Sequence, residues 1–295
     1  MTGPAAQLDL TWIFGSSRSG STWLMHMLGE RPEIRAFNET GLGHHLGVWR
    51  PITLAWATAN ETPALTTFAQ ATRYNPDYVF APEYQDHWQP ALRTLLVDRI
   101  EAGLRNGVPD GRALPAAVIK EPGGSQVADW LISLVPESRL IFLLRDGRDV
   151  VESWLDAHSP GGWHAYDYSL APQGRTAFLE WQATVWRYRT EVVQRVYESH
   201  DPSRRVLVRY EDLRRRPEQE LGRVFEMLGL AVPEADRAEI VARHSLDRTP
   251  ESVRGTGKFV RFGDSGRWRT VLSAKEQAAV AAIIGDKLAE LGYAT

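Results

Sequence analysis

The chain has no cysteine, which excludes disulfides, thiolate metal ligands and a cysteine nucleophile, and removes any redox signal of compartment. No stretch approaches the ~20 consecutive apolar residues of a membrane-spanning helix, and Met1 to Gln7 lack the basic start and apolar core of a secretory leader. A soluble, cytoplasmic protein with no membrane span is the expectation. Lysine is scarce. It occurs only at Lys120, Lys258, Lys275 and Lys287, and this preference for arginine, with the alanine richness, points to GC-rich bacterial coding. A strong charge of one sign is also missing. A formal net charge of −3 over 295 residues argues against a nucleic-acid partner held by global charge, while leaving room for local cationic sites that take a small anion. Metal-ligand spacing is absent as well: His44 and His45 are adjacent, and His26, His87, His158, His164, His200 and His244 are scattered without carboxylates at ligand spacing, so no metal is expected.

What the chain does have is a hydrophobic fraction of 43%, enough to bury a substantial core, and residues 1–295 are read as one domain. Its most informative segment runs from Asp9 to Trp23. An apolar run ending in Trp12-Ile13-Phe14 suits a buried strand, and Trp23 to Leu28 suits a helix stopped near Gly29 and Pro32. Between them Gly15 and Gly20 keep the spacing of a Walker A loop, and Thr22 stands where that loop places its magnesium-holding hydroxyl. Ser21 occupies the position of the lysine, and the cation has moved upstream to Arg18. Backbone amides of such a loop at a helix start still cradle an anion, but the missing lysine disfavours ATP.

Strand-like runs then alternate with helical stretches, which predicts an α/β fold: a P-loop-like, doubly wound parallel sheet flanked by helices, with ligands at the carboxyl ends of the strands. Further strands are expected at Ile34–Phe37, Ala116–Lys120, Arg139–Leu144 and Arg205–Tyr210, and helices at about 90–104, 126–134, 147–154 and 174–198. Gly161 to Tyr166 reads as a mobile loop. Residues 41–90 hold Trp49, Trp56, Phe68, Tyr74, Tyr78, Phe80, Tyr84 and Trp88, either packing aromatics or the wall of an acceptor site. Chemistry collects at the strand ends: the Arg18 loop, Glu39, Lys120, and Arg145 with Ser153 two turns on. Asp146 reads as a helix N-cap. Arg145 and Arg148, cations beside a helix start, call for an anion.

These residues resemble the sulfotransferases that use 3′-phosphoadenosine 5′-phosphosulfate (PAPS). Ser17-Arg18-Ser19-Gly20-Ser21-Thr22-Trp23 is similar to the family loop that binds the 5′-phosphosulfate, with Trp23 at the stacking position. Arg145 and Ser153 reproduce the family's 3′-phosphate pair, an arginine ending a strand and a serine eight positions on. Arg261 to Arg269 resembles a third nucleotide element, although Phe262 and Arg267 replace its usual lysine and aspartate, leaving Arg261 and Gly263 as the implied contacts. Tyr210-Glu211-Asp212-Leu213 is similar to the segment whose tyrosine lies near the adenine.

The resemblance implies sulfuryl transfer from PAPS to an acceptor hydroxyl on a small molecule, phenol, alcohol or sugar, by metal-free in-line displacement, with adenosine 3′,5′-bisphosphate (PAP) as product. A phosphosulfate has no β,γ-phosphate pair for a Walker lysine or magnesium to bridge. Arg18 and Lys120 are the cations expected where charge develops on the bridging oxygen. Many cytosolic members place a histidine two residues after the lysine, where this chain has Pro122. Glu39 takes the place of the base, because Arg35 to Thr40 resembles the tyrosylprotein and carbohydrate sulfotransferase pattern; Glu121 is the substitute. The alternatives are a P-loop kinase using ATP and a nucleotide-binding protein without turnover.

Overall fold

The computed structural model describes residues 8–41, 43, 77, 80–109, 111–164, 174–248, 250, 252, 254–259, 263 and 265–294. Arg261, most of the aromatic stretch 41–79 and residues 165–173 lie outside them.

There are five short strands among the described residues, β1 Leu10–Phe14, β2 Ile34–Asn38, β3 Ala116–Lys120, β4 Arg139–Leu144 and β5 Arg205–Arg209, of which β1, β3 and β4 are buried on both faces. They form one all-parallel sheet in the order β2-β3-β1-β4-β5. Parallel strands covered on both faces read as continuous apolar runs, which is why they stand out in the sequence. Alternate side chains leave in opposite directions. Trp12, Phe14, Ile119, Leu140 and Phe142 join one core cluster, while Ile13, Val118, Ile141, Leu143 and Val208 join another on the opposite face.

The helices are α1 Ser21–Leu28, α2 Gln85–Arg105, α3 Ala128–Leu134, α4 Gly147–His158, α5 Arg175–Ser199, α6 Tyr210–Arg215, α7 Pro217–Met227, α8 Glu234–Arg243, α9 Trp268–Val271 and α10 Ala274–Glu290. The first core holds residues of α2 to α5 and α10, the second those of α1, α6, α7 and α8. The chain leaves β1 for β2 on one side and later passes to β4 on the other, so the strand order reverses at β1. The crevice at such a switch point opens beyond the carboxyl end of β1, where Gly15–Gly20 sits.

Several element boundaries differ from the sequence reading. Helix α2 begins at Gln85 and carries Pro90 inside it, where a proline lacks one helical donor. Residues Pro122–Val127 form a 3₁₀ segment ahead of α3, β5 stops at Arg209 so that Tyr210 opens α6, and α4 runs on to His158. Gly161–His164 is pinned: the amide of His164 donates to the carbonyl of Ala157 and that of Trp163 to the carbonyl of Gly257. At the described end of the aromatic stretch Phe80, Trp88 and Trp130 meet edge to face at 5.4–5.5 Å, as packing.

Candidate active site

The loop after β1 is shaped by close approach. Gly20 has φ +86°, and a Cβ there would lie 2.6 Å from the Tyr210 ring, so only glycine lets the loop pass the aromatic. The hydroxyl of Ser125, in the segment following β3, donates to the carbonyl of Gly15 at 2.8 Å and accepts from its amide at 3.0 Å. Within the loop, the Ser19 hydroxyl is buried with no hydrogen-bond partner among the described residues.

Three sequence-chosen residues meet at the ends of β2 and β3. The Lys120 ammonium, its side chain 3% exposed, donates to Glu39 Oε1 at 2.5 Å, whose side chain is 54% exposed. It also reaches Thr22 Oγ1 at 3.2 Å, on the first turn of α1. Glu39 itself is held by its amide, which donates to the Lys120 carbonyl at 2.9 Å. Glu121 lies buried beside them and accepts from Thr40 Oγ1 at 2.7 Å. Burial raises its pKa above the ordinary carboxylate range, with the Glu39 charge adding to the rise and the Thr40 bond opposing it.

Arg18 points elsewhere. Its Nε donates to Ser153 Oγ at 3.1 Å and a terminal nitrogen to the Phe259 carbonyl at 2.9 Å, with the guanidinium 5.3 Å from the Trp163 ring centroid. In this state it therefore joins the loop to Ser153 rather than pairing with Lys120. Arg145 is buried and donates to the Arg18 carbonyl at 2.7 Å while covering the Tyr210 ring at 4.3 Å. The Tyr210 hydroxyl donates to the carbonyl of Gly263 at 3.1 Å. Trp23 donates its indole N–H to the carbonyl of His244. Loop residues 17–23, Arg145, Ser153, Tyr210 and Gly263 are thus drawn toward one end of the sheet.

Arg148 corrects the expectation of an anion. It forms a buried ion pair with Asp146 at 2.8 Å, donates to the Ala294 carbonyl and stacks on Trp268 at 4.2 Å, so its charge is already matched. Asp146 is the N-cap of α4 as expected, accepting from the amide of Arg148.

Three contributors have no motif in the sequence. Ser125 clamps the loop. Asp149 is buried in α4 and accepts the backbone amide of Gly266 at 2.7 Å, tying the 265–268 segment to α4; burial raises its pKa. Arg189, from the middle of α5, donates to Ser17 Oγ at 3.3 Å, to Gln126 Oε1 at 3.1 Å and to the Gly123 carbonyl at 3.4 Å. An arginine in a long amphipathic helix reads as a solvated face, so only the packing of α5 against residues 122–127 reveals it. Among the described residues no group of three or more His, Cys, Asp or Glu could hold a metal, and no helix is long and apolar enough to cross a membrane.

Known proteins share the sequence pattern and the fold. Residues 11–234 match the family model described as "Sulfotransferase family". A putative protein-tyrosine sulfotransferase of Caenorhabditis briggsae is 22% identical over 75% of this chain and 66% of its own length, and rat sulfotransferase 1A1 is 22% identical over 49% and 56%. The chain spans between about half and two thirds of these curated relatives. Among solved structures, sulfotransferase STF9 of Mycobacterium avium superposes with a TM-score of 0.57 at 14% identity, covering 99% of this chain and 78% of the other. Mouse SULT7A1, complexed with PAP, gives 0.56 at 11% identity over 96% and 86%. At such identities the likeness is one of fold, and it is the match over 11–234, spanning the loop, Glu39, Lys120, Arg145, Ser153 and Tyr210, that decides: this chain belongs to the sulfotransferase family.

Proposed function

We propose that the chain transfers a sulfuryl group from PAPS to an acceptor hydroxyl by in-line displacement without metal. The observation that carries this reading is the Lys120–Glu39 pair set beside Thr22, a buried cation and an open carboxylate at the mouth of a phosphate loop that lacks its Walker lysine. The residues fit the donor. Loop amides, the orphaned Ser19 hydroxyl and Arg18 suit its 5′-phosphosulfate, while Arg145, Ser153, Arg261 and the Gly263 backbone suit its 3′-phosphate. Trp23 and Tyr210 are the aromatics for the adenine.

The acceptor oxygen attacks sulfur as its proton passes to a Glu39 carboxylate oxygen. The bond between sulfur and the bridging oxygen breaks, and PAP leaves. Lys120 exchanges its bond to Glu39 for the bridging oxygen, which stabilises the developing charge and frees the carboxylate to take the proton. Arg18 must release Ser153 when the 3′-phosphate arrives and turn toward the 5′ end. Glu121, buried under Thr40, is suited to holding the Glu39–Thr40 turn. Acceptors are small-molecule or glycan hydroxyls.

The test is to incubate the protein with labelled PAPS and a small-molecule extract in EDTA and identify the sulfated product by mass. Label transfer is expected with chelator present. A strict magnesium requirement, or preferential binding of ATP over PAP, would overturn the reading.

A further inference from the structure

Among the described residues Arg189 is a cation without a counter-ion. Its guanidinium bonds only a hydroxyl, an amide oxygen and a backbone carbonyl, and no carboxylate among the described residues lies within ion-pair distance of it. Desolvation lowers its pKa to about 10, and the Glu39 carboxylate is the one charge that offsets this, so the group remains a cation at neutral pH. Arg189 is partly buried, and a cation matched only by neutral acceptors there keeps the capacity to pair with an anion.

The position narrows what that anion is. Arg189 contacts the side chain of Ser17, at the outer edge of the phosphate loop, and the 123–126 segment that follows Lys120. Its charged neighbour is the base, not Arg145 or Ser153. The donor's two ends already have their cations, Lys120 with the loop for one and Arg145 for the other. What stands beside the base is the acceptor.

We propose that Arg189 recognises an anionic group on the acceptor, so that the preferred substrates are hydroxyl compounds carrying a carboxylate or a like anion near the hydroxyl that is sulfated. This rests on the sulfotransferase reading above and specifies its substrate class. The planar guanidinium presents paired donors suited to a carboxylate. Its three present bonds, at 3.1–3.4 Å, are long for charge-assisted ones and are replaceable by a bound carboxylate.

Matched pairs of hydroxy acids and their methyl esters test it, with kcat and KM measured for each using PAPS. Wild-type protein should favour the acids by about 10- to 100-fold in kcat/KM, the value of one charge-assisted contact, mainly through KM. Arg189→Met should abolish that preference, so that each acid and its ester are used with similar kcat/KM. Arg189→Lys should keep part of it, since the charge is retained and the fork is lost. Melting temperatures establish that each variant is folded, and the wild-type comparison stands without them. Equal use of acids and esters by wild-type protein overturns the proposal and leaves the sulfotransferase reading intact. Loss of PAPS affinity and of kcat on both acceptors in Arg189→Met assigns the residue to the donor and also overturns it. Failure to sulfate any acceptor overturns both readings.

Discussion

Arg18 and Glu39 are the non-glycine residues with positive φ among those described, at +69° and +45°. An L residue in that region costs roughly 1–2 kcal/mol, and such strain collects where a side chain must be aimed. Arg18 had been singled out from its loop and Glu39 from the family resemblance, and the positive φ at each is a separate conformational feature of the same two positions. For Glu39 the consequences separate activity from stability. Glu39→Gln keeps the shape but takes no proton, and should lose about 10²–10⁴ in turnover on an alcohol, and less on an acidic phenol, whose proton departs more readily. Glu39→Gly relieves the left-handed strain while removing an ion pair whose carboxylate is half exposed, worth about 1 kcal/mol or less. Its unfolding free energy should stay within about 1 kcal/mol of wild type with activity as low as the glutamine variant. Urea titration and turnover measured together check this; full turnover by Glu39→Gln with an inactive Glu121→Gln would move the base to Glu121. Lys120→Ala should lower kcat by about 10²–10³, since its charge acts mainly in the transition state, and a near-normal kcat would remove it from the mechanism.

At the scale of elements, α4 packs on α5 and ties down the backbone at Gly266. Its first residue, Gly147, lies so close to Trp186 of α5 that a Cβ would come within 2.7 Å of the indole; Gly147→Ala should destabilise by about 1–3 kcal/mol through overpacking. Two residues on, Asp149 anchors the backbone of Gly266. Asp149→Asn weakens that acceptor, so PAP affinity should fall about tenfold while kcat at saturating donor is retained. Calorimetry and kinetics read the two effects separately, and unchanged PAP affinity would show that the anchor does not shape the phosphate site. The central strands β1, β3 and β4 were legible because double burial makes them nearly unbroken apolar runs, and the loop because its glycines answer to backbone geometry. Helix α2 was placed a turn late because proline at Pro90 resembles a helix start. Arg148 was misread because its partner, Asp146, sits two residues away at a cap, where the sequence shows a helix signal and hides the ion pair. Ser125, Asp149 and Arg189 left no signal, since each acts on a segment at least 60 residues distant or on backbone alone.

Across the whole molecule, carboxyl groups divide by environment. Glu121 and Glu211 are raised by burial, whereas a hydrogen bond from Arg93 holds Glu137 low and one from Arg187 holds Asp286 low. The signs oppose. A lowered group contributes stability that is present above its unfolded pKa, about 4, and is lost as pH falls through the folded value. A raised carboxyl binds its proton more tightly when folded, so its contribution is present below about pH 4 and is lost as pH rises through the raised value. His26, lowered chiefly by desolvation, adds stability as pH rises toward about 6.5, the ordinary histidine value, and partly masks that loss. The masking cancels in a difference. Glu121→Gln and Glu211→Gln remove one raised carboxyl each and leave His26 in place, so stability relative to wild type should climb as pH rises above about 4.5, the ordinary carboxylate value, and level off once the raised carboxyl has ionised. Urea midpoints across that range measure it. For Glu121 the amide oxygen can still accept from Thr40, which keeps the Glu39 turn in place while the titration is removed. A difference that is flat with pH in both variants would mean that neither carboxyl is raised, and that burial costs these groups less than their surroundings imply.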